Sequence, residues 1–84
     1  MNKRISKLQK QILQVFLTLH ETEIALETLK CEMEKQYKKH ASSVGRSCAK
    51  LANHGLLERI VNHKTLAVSY KLTDEGKVLI NQIR

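Results

Sequence analysis

Four side chains that can hydrogen-bond or carry positive charge lie at helical spacing in the middle of the chain. They are Ser43, Arg46, Ser47 and Lys50. Intervals of three and four residues place them on one side of an α-helix, because a helix turns once every 3.6 residues. Arginine can donate two hydrogen bonds to a guanine edge, serine can donate or accept one, and lysine neutralises phosphate. The pattern predicts a helix that contacts a polyanion, with Ser42 as a further contact at its start.

The positive charge of the chain is concentrated around this helix. The 84 residues carry 15 Lys and Arg against 8 Asp and Glu, a formal net charge of +7. Between Lys35 and Lys64 there are seven of these cations and a single acid, Glu58, so this segment alone carries +6. A small basic domain is suited to a nucleic acid, although a basic face that serves only solubility would show the same composition.

Four helices and one hairpin are predicted to position these side chains. The first helix begins near Ser6, an N-cap type of residue, and ends at His20. Its apolar stripe has helical spacing and consists of Leu8, Ile12, Val15, Phe16 and Leu19. Leu13 and Leu17 widen this stripe beyond what one small core requires, so we expect the surplus face to contact a second subunit.

The second and third helices are predicted to be joined by a cationic turn. The second begins at Thr22 and leads into Lys38, Lys39 and His40, and the third is capped by Ser42 or Ser43. The inner face of the third helix is predicted to hold Val44, Cys48 and Leu51, and the helix ends at Gly55, which can adopt the left-handed conformation. Gly45, inside this helix, indicates either close approach of a phosphate or helix, or a glycine that is merely tolerated.

Two alternating segments, residues 56–61 and 67–72, are predicted to form the hairpin. Its tip is polar and basic, and the candidate contacts there are Arg59, Asn62, His63 and Lys64. Thr73 is predicted to cap a short last helix, with Asp74 and Glu75 in the first turn.

Residues 44–59 resemble the recognition-helix signature of winged helix-turn-helix regulators, such as the MarR-like, PadR-like and ArsR-like groups. Arg46 stands nine residues before Gly55, and the run from Gly55 to Arg59, Gly-Leu-Leu-Glu-Arg, is similar to the opening of their wing. The run from Tyr70 to Gly76, Tyr-Lys-Leu-Thr-Asp-Glu-Gly, is similar to the end of that wing. The chain departs from these families at Gly45, where they often have Ser or Thr.

The resemblance spans residues 6–84 and implies an α+β winged helix-turn-helix with a three-helix core, a two-stranded hairpin wing and a short C-terminal helix. It also implies a sequence-specific DNA-binding transcriptional regulator, a homodimer on a palindromic operator. We therefore predict one domain over residues 1–84, with helix 42–54 in the major groove and wing 59–66 beside it. Lys38, Lys39 and His40 would contact the DNA backbone, and the first and last helices would form the dimer.

Catalysis, metal binding and cofactors are not expected. His and Cys residues lack the paired spacing of zinc sites, and Cys48 is interpreted as a small core residue. Two cysteines and no apolar leader or membrane-length segment favour a cytoplasmic, nucleoid-associated location. Three alternatives stay open: a plasmid or phage replication or partition factor, a winged-helix protein-interaction adaptor, and a redox-gated sensor through Cys31.

Overall fold

The computed structural model describes residues 5–83, so that residues 1–4 and 84 of the predicted domain lie outside the described part. Along the chain the elements are α1 (Lys7–Leu19), β1 (Glu23–Ala25), α2 (Leu26–Tyr37), α3 (Ala41–Asn53), β2 (Leu57–Val61), β3 (Val68–Leu72) and α4 (Asp74–Ile83). Helices α1, α2 and α3 pack against one another, and α4 packs on α1 and β3. The predicted α+β architecture is confirmed.

The core is formed mainly by the inner faces of the first three helices and of the sheet. Ile12 and Phe16 of α1, Leu29 of α2 and Leu51 of α3 are among its largest fully buried side chains. Leu13 is also fully buried. The expectation that Leu13 is surplus to one core is therefore wrong, because α2, α3 and α4 all pack on α1. Leu17, the other residue of the expected surplus face, is partly buried against the same core.

The predicted start of α1 is confirmed. Ser6 is its N-cap and forms a capping box with Gln9: the Gln9 N–H donates to Ser6 Oγ over 3.2 Å, and the Ser6 N–H donates to Gln9 Oε1 over 3.0 Å. This reciprocal pair satisfies two backbone donors that a helix N-terminus otherwise leaves without partners.

The predicted start of α2 at Thr22 is wrong, since a short strand precedes the helix. Strand β1 pairs antiparallel with β3, so that Ile24 lies opposite Tyr70, and the Leu72 N–H donates to the Thr22 carbonyl over 2.7 Å. Ile24 buries its side chain in the core through this pairing. The sheet therefore has three strands in the order β1-β3-β2, one more than the predicted wing.

The third helix begins earlier than predicted and ends as predicted. Its first residue is Ala41, and its N-cap is His40 rather than Ser42 or Ser43, with the His40 side chain accepting a hydrogen bond from the Ser42 N–H. Gly55, at the end of α3, has φ of 76°, the left-handed conformation predicted for it.

The hairpin and the last helix lie within one residue of their predicted positions. Strands β2 and β3 pair antiparallel with Arg59 opposite Tyr70. Thr73 precedes α4, and its Oγ1 accepts a hydrogen bond from the Gly76 N–H over 3.1 Å, as a cap does. Within residues 5–83, no helix combines the length and apolar composition needed to cross a membrane.

Candidate nucleic-acid interface

Helix α3 has one face in the core and one face in solvent. Val44, Cys48 and Leu51 are fully buried, as predicted, and the helix rests on α1, α2 and β2. These contacts fix the rotation of α3 about its own axis. Side chains on its opposite face therefore project from a rigid element.

The exposed face of α3 carries polar and cationic side chains. Its exposed members are Ser42, Ser43, Arg46, Ala49, Lys50 and Asn53. No acidic residue occurs anywhere in α3, so this face has no carboxylate that would repel phosphate. The combination supplies hydrogen-bond donors, acceptors and two positive charges on a surface of the kind that enters a DNA groove.

Ser47 does not belong to this face. The residue is 8% exposed, and the prediction that it points outward is wrong. It lies three residues after Val44 and four before Leu51, so helical geometry places it at the edge of the buried stripe. Its spacing from Ser43 matched the outer face equally well, and only the packing of α3 decides between the two positions.

Two further exposed residues of α3 were not among the contact residues predicted from the sequence. Ala49 and Asn53 lie three and seven residues after Arg46 and are exposed like it. Asparagine can make two hydrogen bonds to adenine, and an alanine methyl can contact the methyl group of thymine. Extending the spacing of Arg46 toward the end of the helix would have found both.

The three residues predicted to contact the DNA backbone lie in the turn between α2 and α3. Lys38 ends α2 in the left-handed conformation, with φ of 55°, and the Lys39 N–H donates to the Met33 carbonyl over 3.3 Å. Lys38 and His40 are exposed, whereas Lys39 is half-buried. An open depression lies here at the start of α3, lined by Glu34, Lys38, Lys39, His40 and Ala41. Two lysines against one glutamate leave this depression cationic.

Arg59 lies between α3 and the hairpin tip. Residues two apart on a strand share a face, so Arg59 is on the same side of the sheet as buried Leu57, and β2 packs against α3 on that side. Burial raises the pKa of the Tyr70 hydroxyl, and Cys48 adds to the rise. The positive charge of the Arg59 guanidinium offsets part of this pKa shift. Arg59 lies directly opposite Tyr70 in the β2–β3 pairing and is itself exposed.

The hairpin tip is an ordered turn rather than a set of free polar groups. Asn62 Oδ1 accepts hydrogen bonds from the N–H groups of Lys64, over 2.9 Å, and Thr65, over 3.1 Å. The side-chain oxygen of Asn62 is thus engaged within the loop. His63 and Lys64 are exposed at the tip, on the segment where a wing would meet a DNA backbone.

The two cysteines differ in surroundings. Cys31 is exposed on α2 and Cys48 is buried. Burial raises the pKa of the Cys48 thiol to about 12, and Lys30 lowers it only in part. Within the described residues, no group of three or more His, Cys, Asp or Glu side chains is arranged to hold a metal ion.

Solved structures with this architecture include RosR from H. salinarum, in the complex hsRosR-S4. It is 25% identical to the chain, with a TM-score of 0.81 over 96% of this chain and 69% of that one. F93 from STIV, a winged-helix DNA-binding protein, is 14% identical, with a TM-score of 0.76 over 96% of this chain and 87% of that one. This chain has the winged helix-turn-helix fold.

A third similar structure is a mutant of MarR from E. coli, complexed with operator DNA. It is 23% identical to this chain, with a TM-score of 0.71, and the match covers 93% of this chain but only 52% of MarR. The winged-helix domain described here thus spans about half the length of that protein. No protein-family model and no curated protein sequence matches the chain significantly.

Proposed function

We propose that this chain is a sequence-specific DNA-binding transcriptional regulator, which inserts α3 into the major groove. The exposed face of α3 carries the proposal, because it joins Arg46 and Lys50 to hydrogen-bonding side chains on a helix without acidic residues. The winged-helix fold supports it, since F93 is a DNA-binding protein of that fold and MarR is complexed with operator DNA. The proposed role is binding without catalysis, in the cytoplasm at the nucleoid.

Each part of the surface has a proposed contact. Ser42, Ser43, Arg46 and Lys50 would face bases and nearby phosphates, with Ala49 and Asn53 extending the same stripe. Lys38, Lys39 and His40 would contact the backbone next to the start of α3, where the helix dipole also favours an anion. Arg59, His63 and Lys64 would follow the backbone beside the wing, and Asn62 would shape its tip.

The chain is further proposed to act as a homodimer through α1 and α4. Val78 on α4 is 58% exposed, and the neighbouring Leu79 is only half-buried against the core. Helix α4 lies against α1, on which Leu8, Leu17 and Leu19 are only partly buried, so the proposed interface combines these side chains with Val78. A two-fold dimer would place two α3 helices on a palindromic site about one helical turn of DNA apart.

Selection from a pool of random duplex DNA tests the proposal directly, at about 50 and 200 mM salt. Recovery of a palindromic consensus whose binding weakens with salt supports a dimeric regulator. The genomic position of that consensus, in a promoter or at a replication origin, distinguishes a regulator from a replication or partition factor. Absence of binding at low salt would overturn the proposal in favour of a protein-interaction adaptor.

A further inference from the structure

Leu66, at the hairpin tip, combines two unfavourable features. Its side chain is 73% exposed, and its backbone has φ of 61°, in the left-handed region that leucine seldom adopts. Two other residues in the described part of the chain, His20 and Lys38, share this conformation without being glycine, but both are polar and end a helix. Leu66 ends no helix and buries little surface in the fold.

The loop around Leu66 holds it in this conformation through hydrogen bonds. The Leu66 N–H donates to the Asn62 carbonyl over 2.7 Å, and the Asn62 N–H donates to the Ala67 carbonyl over 2.9 Å. The Ala67 N–H also donates to Thr65 Oγ1 over 3.2 Å. Asparagine or glycine would satisfy the same backbone at lower cost. The leucine side chain is thus unexplained by folding alone, and strain of this kind accompanies functional positions.

We infer that Leu66 is an apolar wedge, which the wing presses into the minor groove of the DNA bound by α3. This inference rests on the proposed DNA-binding function. Minor-groove proteins insert leucine and similar apolar side chains between base steps. The charge around the tip fits DNA as the occupant, because His63 and Lys64 are exposed beside Leu66 and no acidic residue occurs between Arg59 and Thr73. The wing would then have a cationic side for phosphates and an apolar tip for the groove floor.

A wedge of this type contributes to specificity through DNA deformability. Partial unstacking costs least at pyrimidine–purine steps, such as TA and CA/TG. The recovered binding sites are therefore expected to have such a step on each flank, beyond the bases that α3 reaches. This preference would be carried by Leu66 and lost when its side chain becomes polar.

The deciding variant is Leu66→Asn, since asparagine tolerates the left-handed conformation and keeps the loop intact. We expect its melting temperature to equal or exceed that of the wild type, because backbone strain is relieved. Its affinity for the selected site should fall about tenfold, as loss of a buried leucine contact predicts. The slope of log K against log salt should stay unchanged, since an apolar contact releases no counterions. Lys64→Ala, the matched variant at the same tip, should instead reduce that slope by about one.

The outcomes separate the wedge from the general function. If the wild type binds and Arg46→Ala weakens binding, but Leu66→Asn binds as tightly as the wild type, the wedge is wrong and the DNA-binding function stands. If Leu66→Asn changes self-association in sedimentation without changing DNA affinity, the tip is an interface between copies and the wedge is again wrong. If the wild type binds no DNA, both proposals fail together.

Discussion

At the scale of single residues, the Thr-x-x-Gly sequence after β3 has a geometric cause. The Thr73 N–H donates to the Leu56 carbonyl over 3.2 Å, and Thr73 Oγ1 donates to the Gly55 carbonyl over 2.6 Å. Gly76 lies directly over this junction, where a Cβ would overlap the Leu56 carbonyl oxygen and approach Leu72 Cδ1 within 2.7 Å. The start of α4 is thereby fixed to the end of α3, which sets how the hairpin leaves α3.

Gly76→Ala is expected to destabilise the fold. The added methyl would collide with a backbone carbonyl that cannot move without breaking the Thr73 hydrogen bond, so we expect a loss of about 2–3 kcal/mol, in the upper part of the range for overpacked sites. Urea unfolding monitored by circular dichroism measures this change. An unchanged midpoint would show that α4 does not approach Leu56 this closely.

Gly45→Ala is the matched substitution, and it is expected to stabilise the fold instead. A Cβ at Gly45 would meet only Lys30 Cε, at 4.0 Å, an ordinary contact. The close helix approach considered from the sequence is therefore wrong, and alanine should stabilise α3 by about 0.5–1 kcal/mol. If the stabilised variant binds the selected DNA site more weakly, Gly45 serves close approach of the DNA itself.

The two thiols are expected to react very differently. Burial keeps the pKa of Cys48 at about 12, so its thiol remains protonated and enclosed at about pH 8, whereas Cys31 is exposed. A thiol reagent should label one cysteine in the native protein and the second only on unfolding. Cys31→Ser should remove the fast reaction, and loss of the slow reaction instead would contradict the burial of Cys48.

Because the pKa of Cys48 is raised, the free energy of unfolding should depend on pH in the alkaline range. Unfolding returns the Cys48 thiol to its ordinary pKa of 9.0, so between about pH 9 and 12 the unfolded chain loses a proton that the folded chain keeps. The free energy of unfolding should therefore fall as pH rises through this window, by up to about 1.4 kcal/mol per pH unit. The Cys48→Ala variant, compared over the same range, lacks this contribution.

At the scale of elements, helix starts and ends were predicted better than the short strand β1. Ser6 capped α1, Gly55 ended α3 and Thr73 opened α4 as expected, because capping hydrogen bonds join residues within one turn of each other. The predicted cap of α3 was wrong, because His40 precedes the two candidate serines and caps the helix before them. Strand β1 escaped prediction because three residues are too few to show an alternating pattern. It exists because it pairs with β3, which lies more than forty residues away in sequence.

In the candidate site too, local spacing predicted some features, whereas others depend on tertiary packing. Helical spacing predicted that Arg46 and Lys50 would be exposed, and they are. Spacing also favoured an exposed Ser47, which is buried, because the width of the buried stripe depends on how α1, α2 and β2 surround α3. The strained conformation of Leu66 has no signal in the sequence, since it arises from hydrogen bonds that close the loop.

Helix α3 is expected to read bases while the turn before it contacts phosphates. Arg46→Ala should cost about 1–3 kcal/mol of binding free energy and relax selection at one base position, whereas Lys39→Ala should weaken all sequences alike. Fluorescence anisotropy with the selected site and single-base variants measures both. Lys71→Ala is the charge-matched control, because Lys71 lies on the outer face of the sheet opposite Glu23 and Glu58. Equal losses for Arg46→Ala and Lys71→Ala would point to net charge rather than recognition.

At the scale of the whole molecule, the distribution of charged and apolar side chains favours DNA binding around α3 and self-association through α4. Cationic side chains gather around α3, the turn before it and the wing, whereas Val78, one of the two large apolar side chains exposed among residues 5–83, lies on α4. The other is Leu66 at the wing tip. A domain of this size buries only about 60–65% of its unfolded surface, so additional burial against a second copy would stabilise it.

Val78→Glu is expected to weaken self-association and, through it, binding to a palindromic site. A charge placed in an apolar dimer contact must be desolvated without a partner, so the dimer dissociation constant should rise at least about tenfold. Sedimentation equilibrium measures that constant, and binding to a half-site and to the full palindrome separates its effect on DNA. The variant should bind the half-site like the wild type but lose the gain from linking two half-sites. Thr28→Glu is the control, since it adds the same charge at an exposed position of α2. A monomeric wild type, or a Val78→Glu variant that dimerises normally, would place any dimer contact elsewhere than on α4.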